Sequence, residues 1–391
     1  MSDPGAGPAS TATRSSRVML AIIIVAVGSV AIAYLGLGLM AASTTLGCDY
    51  YTYADAVIRH LDGQAIYPAA AARTGECGLY QYPPPFLLLV LPFAALGSVG
   101  VWPWIALSFV AFAAGCAIIP VRGWIRIAIF LLGAMGWPMV FGLRIGQVVP
   151  LLFFLSAVGW RSLHRPQVLG AVSGLGALIK VQPGLVLAWL LLRGNLRAVA
   201  AGFATIAIAT VAAALIGLTD WPTFVRVLTQ ISSAVDVSTN LAIGAVAHRF
   251  GLDIATASAL QAVNTVAMLA LVVVAARWLP REPGFLLVVT ASQVLSPIVW
   301  SHYALALLLP VAWLLERRQW WIILVPLSQL WLLITTVPDP AYTASYYVVI
   351  AALLAVAARD RLTVARLARA GTAAGISSGM PTGATPRPDP A

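Results

Sequence analysis

The sequence predicts an all-α, polytopic transmembrane bundle of about 10–12 spans, with an interfacial helix in the first exported loop. Composition is the first reason. Of 391 residues, 61% are apolar and 9% charged, with a mean hydropathy of +0.92, whereas a soluble domain carries about 25% charged residues. That much apolar surface exceeds what a water-soluble core buries, and lipid is the solvent that accepts the rest. Charge placement is the second reason. The net charge of +10 is divided into short arginine clusters between apolar runs. This is the positive-inside pattern of loops facing cytoplasm and anionic lipid, not the continuous basic face of a nucleic-acid binder.

Taken in order, residues 1–16 are rich in Ser, Ala, Gly and Thr and read as a disordered cytoplasmic tail; 370–391, rich in Gly, Pro, Ser and Thr, read as a second one. Between them, 17–369 form the transmembrane domain. Arg14 and Arg17 precede the uncharged run 18–42, too long for a signal-peptide core, which reads as a retained first helix with its N-terminus inside. Residues 43–83 make the first exported loop, where Asp49, Asp55, Asp62 and Glu76 outnumber Arg59 and Arg73. Within it Tyr50, Tyr53, Val57 and Leu61 recur at helical spacing, with Asp55, Arg59 and Asp62 opposite. That pattern suits a short helix lying flat on the outer surface.

Arginine pairs then recur at Arg122/Arg126, Arg161/Arg165, Arg193/Arg197, Arg277/Arg281 and Arg317/Arg318, followed by the Arg359–Arg369 cluster. Placing all of them inside puts residues near 143–147, 180–183, 218–252, 299–302 and 338–342 outside, with 218–252 the second large exported loop. The stretch 84–119 must then make one net crossing, and 168–192 a hairpin of two short helices. Pro- and Gly-broken segments of that kind are tolerated where they line a cavity.

Polar residues at membrane depth are costly and point to function. Here they gather toward the exported ends: Asp49 in CDYYTYADAV, Tyr82 in YQYPPPF, Arg144 and Gln147 in GLRIGQVVP, Lys180 and Gln182 in LIKVQP, and Trp300 and His302 in LSPIVWSHY. Lys180 is the only lysine among 23 basic residues. One carboxylate with several cations and aromatic rings suits a reaction on an anionic, lipid-carried substrate. Each residue also has a plainer reading. Asp49 serves equally as a helix N-cap, Lys180 as a snorkelling helix end, Arg144 as an interfacial anchor, His302 as a packing residue, and Asp55 as a solvated surface acid and the fallback to Asp49. Cys48 and Cys77 share the exported loop and either pair in an oxidising compartment or stay free; no cysteine spacing fits a metal.

The order Asp and Tyr-rich segment, Gly63…Tyr67, Tyr82-Pro83-Pro84, Gly146-Gln147, Lys180…Pro183 and Ser296-Pro297…Trp300…His302 resembles glycosyltransferase family 87 over roughly residues 18–358. The family consists of membrane glycosyltransferases of the GT-C type, among them polyprenyl-phospho-mannose-dependent mannosyltransferases of mycobacterial glycolipid assembly. Val149 stands where the family often has Asn nearby. The resemblance implies an inverting transfer of mannose, or of a pentofuranose such as arabinose, from a polyprenyl-phosphate-sugar donor to a lipid or glycan acceptor. The site would lie on the exported face of the plasma membrane, with both termini cytoplasmic. Asp49 matches the family's catalytic acid and would act as general base. Lys180, Arg144 and His302 would meet the donor phosphate, and Tyr82, Gln147, Gln182 and Trp300 the substrates. No metal or other cofactor is implied, and no Asp-x-Asp triplet occurs. The competing class is a transporter or flippase of a lipid-linked substrate, which would need access to the cavity from both faces.

Overall fold

The computed structural model describes residues 45–67, 80–231, 234–237, 239–330 and 339–377, together with Gly28 and Gly36. The tail 1–16, nearly all of the run 18–42, Cys77 and residues 378–391 lie outside the described residues. Within them the chain is all-α. Sixteen helices run in order: α1 (Cys48–Leu61), α2 (Leu87–Ala94), α3 (Val101–Ile118), α4 (Gly123–Met135), α5 (Trp137–Ile145), α6 (Val149–Arg161), α7 (Pro166–Ile179) and α8 (Leu185–Leu192). Then follow α9 (Leu196–Leu215), α10 (Trp221–Ile231), α11 (Ile243–Arg249), α12 (Ile254–Trp278), α13 (Arg281–Val294), α14 (Leu308–Glu316), α15 (Leu324–Ser328) and α16 (Asp339–Ser377). The last helix therefore continues past the boundary expected at 369.

Among the described residues, four helical stretches are long and apolar enough to cross a membrane, 97–118, 196–215, 254–278 and 339–363, and six shorter apolar helices of 10–17 residues accompany them. The chain is thus an all-α polytopic membrane protein, as expected, and several of its apolar helices are half-length. The physical reason lies in the breaks. Pro84, Gly136, Lys180-Val181, Pro183 and the Ser296–Trp300 stretch interrupt the apolar runs. The half-length pieces they leave pack against protein, whereas α9 and α12 turn residues such as Leu215, Ile208 and Val266 outward.

Helix α1 has the expected amphipathic form. Tyr50, Tyr53 and Val57 are buried and Asp55 is exposed. Leu61 departs from the pattern and is exposed, because it ends the helix just before the left-handed turn at Gly63. Between 84 and 119 one short helix precedes one full-length helix. Helices α7 and α8 form the expected hairpin, with Lys180 at its bend. Helix α7 is drawn tightly onto α9: a Cβ at Gly170 would lie 1.9 Å from the Ala198 carbonyl oxygen. Such small-residue contacts let two helices in lipid gain dispersion energy across their backbones.

Polar contacts sort the helix ends into two groups. At one end Arg122 pairs with Glu316 at 2.8 Å, Arg193 donates to the Leu279 carbonyl, and Arg317 pairs with Glu282 and Asp360. Glu282 there also accepts from the indole N–H groups of Trp160 and Trp313. At the other end Trp104 donates to the Gly146 carbonyl at 2.7 Å, Gly47 to the Arg144 carbonyl and Leu241 to the Val299 carbonyl, and Arg249 pairs with Asp339. The arginine-rich joints thus occupy one end and the candidate site the other.

Candidate active site

Asp49 lies in the first turn of α1, outside the spanning helices. It is not the helix N-cap: that position is Gly47, in a left-handed conformation without a side-chain cap. The carboxylate is therefore not spent on terminal amides. Instead its Oδ2 accepts a hydrogen bond from Gln147 Nε2. Gln147 is buried, and its Nε2 also lies 3.1 Å from the Tyr82 hydroxyl, while its Oε1 accepts from the Val148 amide at 3.0 Å. Tyr82 in turn accepts from the Tyr53 hydroxyl at 2.9 Å, and the Tyr67 hydroxyl donates to the Tyr82 carbonyl at 2.7 Å. The carboxylate is thus fixed by a chain of groups from α1, the loop return at Tyr82 and the end of α5.

Gly146 makes that convergence possible. Its φ of +73° closes α5 in the left-handed region that glycine occupies at little cost. A Cβ there would lie 2.7 Å from Tyr50 Cβ. Any side chain would push α1 away and carry Asp49 out of reach of Gln147.

Burial pushes the Asp49 carboxyl up to about 6, against the opposing pull of the Gln147 hydrogen bond and the Lys180 charge. It remains mostly ionised at neutral pH, yet its affinity for a proton is close to what a general base needs there. Lys180, at the α7–α8 bend, places its ammonium 3.9 Å from the centroid of the Tyr303 ring and 5.7 Å from that of Tyr82. A desolvated cation over aromatic faces is held by their quadrupoles.

Lys180 also lines a cavity of about 620 Å³. Gln81 and Pro83 border it on one side, the Lys180–Gln182 bend and Leu185 on another, and Pro297, Trp300 and Tyr303 close it. The wall is chiefly apolar with a few polar groups, as pockets for amphiphilic ligands are.

Of the expected site residues, Asp49, Gln147, Tyr82 and Lys180 come together, and Lys180, Gln182 and Trp300 line the cavity. Two are placed elsewhere. Arg144 does not line the cavity: its Nε donates to Thr45 Oγ1 at 2.7 Å and its carbonyl accepts from Gly47, so it anchors the start of α1. His302 is buried behind Trp300, the two rings nearly parallel at 6.5 Å, and does not reach the cavity surface. Asp55 is exposed and contributes nothing to the site. Cys48 is disulfide-bonded and Cys116 is free, while Cys77, its expected partner, lies outside the described residues.

Sequence reasoning missed Tyr303, which carries the Lys180 contact, and Tyr53, which orients Tyr82. Their signal was the density of tyrosine next to the chosen residues, and nothing in a sequence separates these rings from ordinary interfacial ones. Comparison with protein-family models matches residues 80–297 to glycosyltransferase family 87, more than half of the chain. The match includes Tyr82, Arg144, Gln147, Lys180 and Gln182, and lies between Asp49 on one side and Trp300 and His302 on the other. No curated protein matches the chain.

Proposed function

The chain belongs to glycosyltransferase family 87, and from that premise we propose that it transfers a sugar from a polyprenyl-phosphate donor to a hydroxyl of a lipid or glycan, with inversion at the anomeric carbon. Mannose is the first donor sugar to test and arabinofuranose the second. The observation that carries the reading is the Asp49 carboxylate, oriented by Gln147 and faced by the Lys180 ammonium, beside a cavity of about 620 Å³.

In this reading the acceptor oxygen attacks the anomeric carbon as the bond from that carbon to the phosphate oxygen breaks. The acceptor proton passes to Asp49, and polyprenyl phosphate leaves with the bonding electron pair. Negative charge grows on the departing phosphate, and Lys180 is placed to offset it in a site largely shielded from water, where a fixed charge is worth more than in solution. Apolar wall residues such as Pro297 and Leu185 suit the isoprenoid units next to the phosphate. Trp300 and Gln182 offer a ring face and an amide to the sugar. No step requires a metal or other cofactor. We assign the end bearing Asp49 to the outer face of the plasma membrane and the arginine-rich end, with both termini, to the cytoplasm. The support is the arginine distribution.

The deciding experiment reconstitutes the purified chain with polyprenyl-phospho-mannose, or its arabinofuranosyl counterpart, and lipid acceptors extracted from the producing cell. Wild-type protein is expected to form a glycosylated product, and Asp49→Asn to reduce the rate by at least about 10²-fold, the lower range for loss of a general base. Equal rates for the two proteins would remove Asp49 from the mechanism.

A further inference from the structure

One wall of the cavity is an irregular stretch. Leu295, Ser296, Pro297, Ile298 and Trp300 all line the cavity, yet 297–300 belong neither to α13 nor to the 3-10 helix Ser301–Leu307 that follows. A segment without regular structure has no internal ladder to fix its backbone, so its shape must be imposed from outside.

Asn240 imposes it. This residue, in the second exported loop, has 0% of its surface exposed. Its Nδ2 donates to the Pro297 carbonyl at 2.9 Å, and its Oδ1 accepts from the Val299 amide at 2.9 Å and from the Ala242 amide at 2.9 Å. The neighbouring Leu241 amide donates to the Val299 carbonyl at 2.7 Å. The wall is therefore gripped on either side of Ile298. An amide side chain suits the task, since it supplies a donor for one carbonyl and an acceptor oxygen with two lone pairs for two N–H groups. Aspartate keeps the acceptor half, and alanine keeps neither.

The grip is itself braced. The Asn240 carbonyl accepts from Arg249 at 2.6 Å, Arg249 pairs with Asp339 at 2.8 Å, and Thr343 Oγ1 donates to the Leu241 carbonyl at 2.7 Å. The first turns of α16 thus hold the loop that holds the wall. The opposite side of the cavity, with Lys180, is built by the α7–α8 hairpin and shares none of these bonds.

We propose that Asn240 is a positioning residue for donor binding: it sets the Pro297–Val299 backbone and through it the placement of Trp300 in the cavity. The link to the donor rests on the glycosyltransferase reading above; the grip on the wall does not.

The test uses the full-length chain in detergent and two variants, Asn240→Ala and Asn240→Asp. Hydrogen exchange at residues 296–300 is compared with exchange in α12, and kcat and KM for the polyprenyl-phosphate sugar are measured in parallel. Asn240→Ala is expected to speed exchange at 296–300 without changing α12. It should raise the donor KM about tenfold, the size of one lost buried hydrogen bond, with kcat within about threefold. Asn240→Asp should fall between alanine and wild type. Unchanged exchange at 296–300 overturns the grip. Faster local exchange with an unchanged KM, or a parallel loss of kcat with exchange accelerated throughout, overturns the positioning role. If the wild-type protein transfers no sugar, the functional reading fails by itself, and the exchange measurement alone decides whether Asn240 holds the wall.

Discussion

Replacing Gln147 with leucine removes a side chain that donates to Asp49 while keeping a similar volume. The carboxylate then stays enclosed without that donor, and its charged form loses a charge-assisted hydrogen bond worth roughly 1.5–3 kcal/mol. At about 1.36 kcal/mol per tenfold change in proton affinity, the carboxyl that burial already holds at about 6 should move up to between about 7 and 8. At pH 7 the ionised fraction would drop from roughly nine-tenths to between about a half and a tenth. The assay is kcat/KM for the donor from pH 5 to 9.5, because that quantity reports groups in the free enzyme. Wild-type activity should fall as pH drops through about 6. Gln147→Leu should lose about two- to tenfold at pH 7, with the acid limb of its profile moved up by about one to two pH units relative to wild type. A loss of equal size at every pH, or an acid limb that stays where the wild type has it, would refute the claim that Gln147 acts by tuning and orienting Asp49.

Other outcomes follow from the same geometry. Lys180→Gln should cost about 10²-fold in kcat, the scale of losing one electrostatic stabiliser, and Lys180→Arg should recover only part of it, since a planar guanidinium replaces a compact ammonium over the Tyr303 ring. Burial raises the Asp49 pKa in the folded protein, so its contribution to stability is greatest below about pH 4 and is lost as pH rises through about 6. Asp49→Asn should therefore raise the Tm relative to wild type at pH 8, with the gap closing in acid. At the opposite end of the molecule, Glu282→Ala strands two indole N–H groups and leaves Arg317 with Asp360 as its remaining acidic partner among the described residues. It should lower stability by about 2 kcal/mol, a value reduced for partial exposure, while leaving the donor KM unchanged. Gly170→Val has no room beside the Ala198 carbonyl and should abolish accumulation of folded protein, measured by size-exclusion profile.

Much of the segment around α1 was legible because its signals are local. A helix of Tyr50, Tyr53 and Val57 with Asp55 opposite follows from a period of 3.6 residues, which lipid-surface helices cannot hide. The hairpin with Lys180 at its bend followed from counting arginine pairs and requiring each to stay on one side. Arg144 shows where such reasoning ends. It sits three residues from Gln147, shares its motif, and belongs to the correct end of the bundle. Yet Arg144 lies in the last turn of α5 and Gln147 beyond the left-handed turn at Gly146, so the two side chains meet different neighbours, Asp49 for Gln147 and Thr45 for Arg144. His302 likewise stands one residue from Tyr303, but Tyr303 meets Lys180 while His302 packs behind Trp300.

By itself the sequence determined that the chain lives in a membrane, that it is all-helical, which ends of its helices are basic, and which short polar motifs are candidates for chemistry. Those are properties of composition and period, and solvent preference reads them without reference to distant parts of the chain. The tertiary structure alone decided which candidates share a site, because that depends on how helices far apart in sequence rotate about their axes when they pack. It set Gln147 against Asp49, moved Arg144 and His302 off the cavity, and brought Asn240 from a loop without any motif to grip Pro297 and Val299.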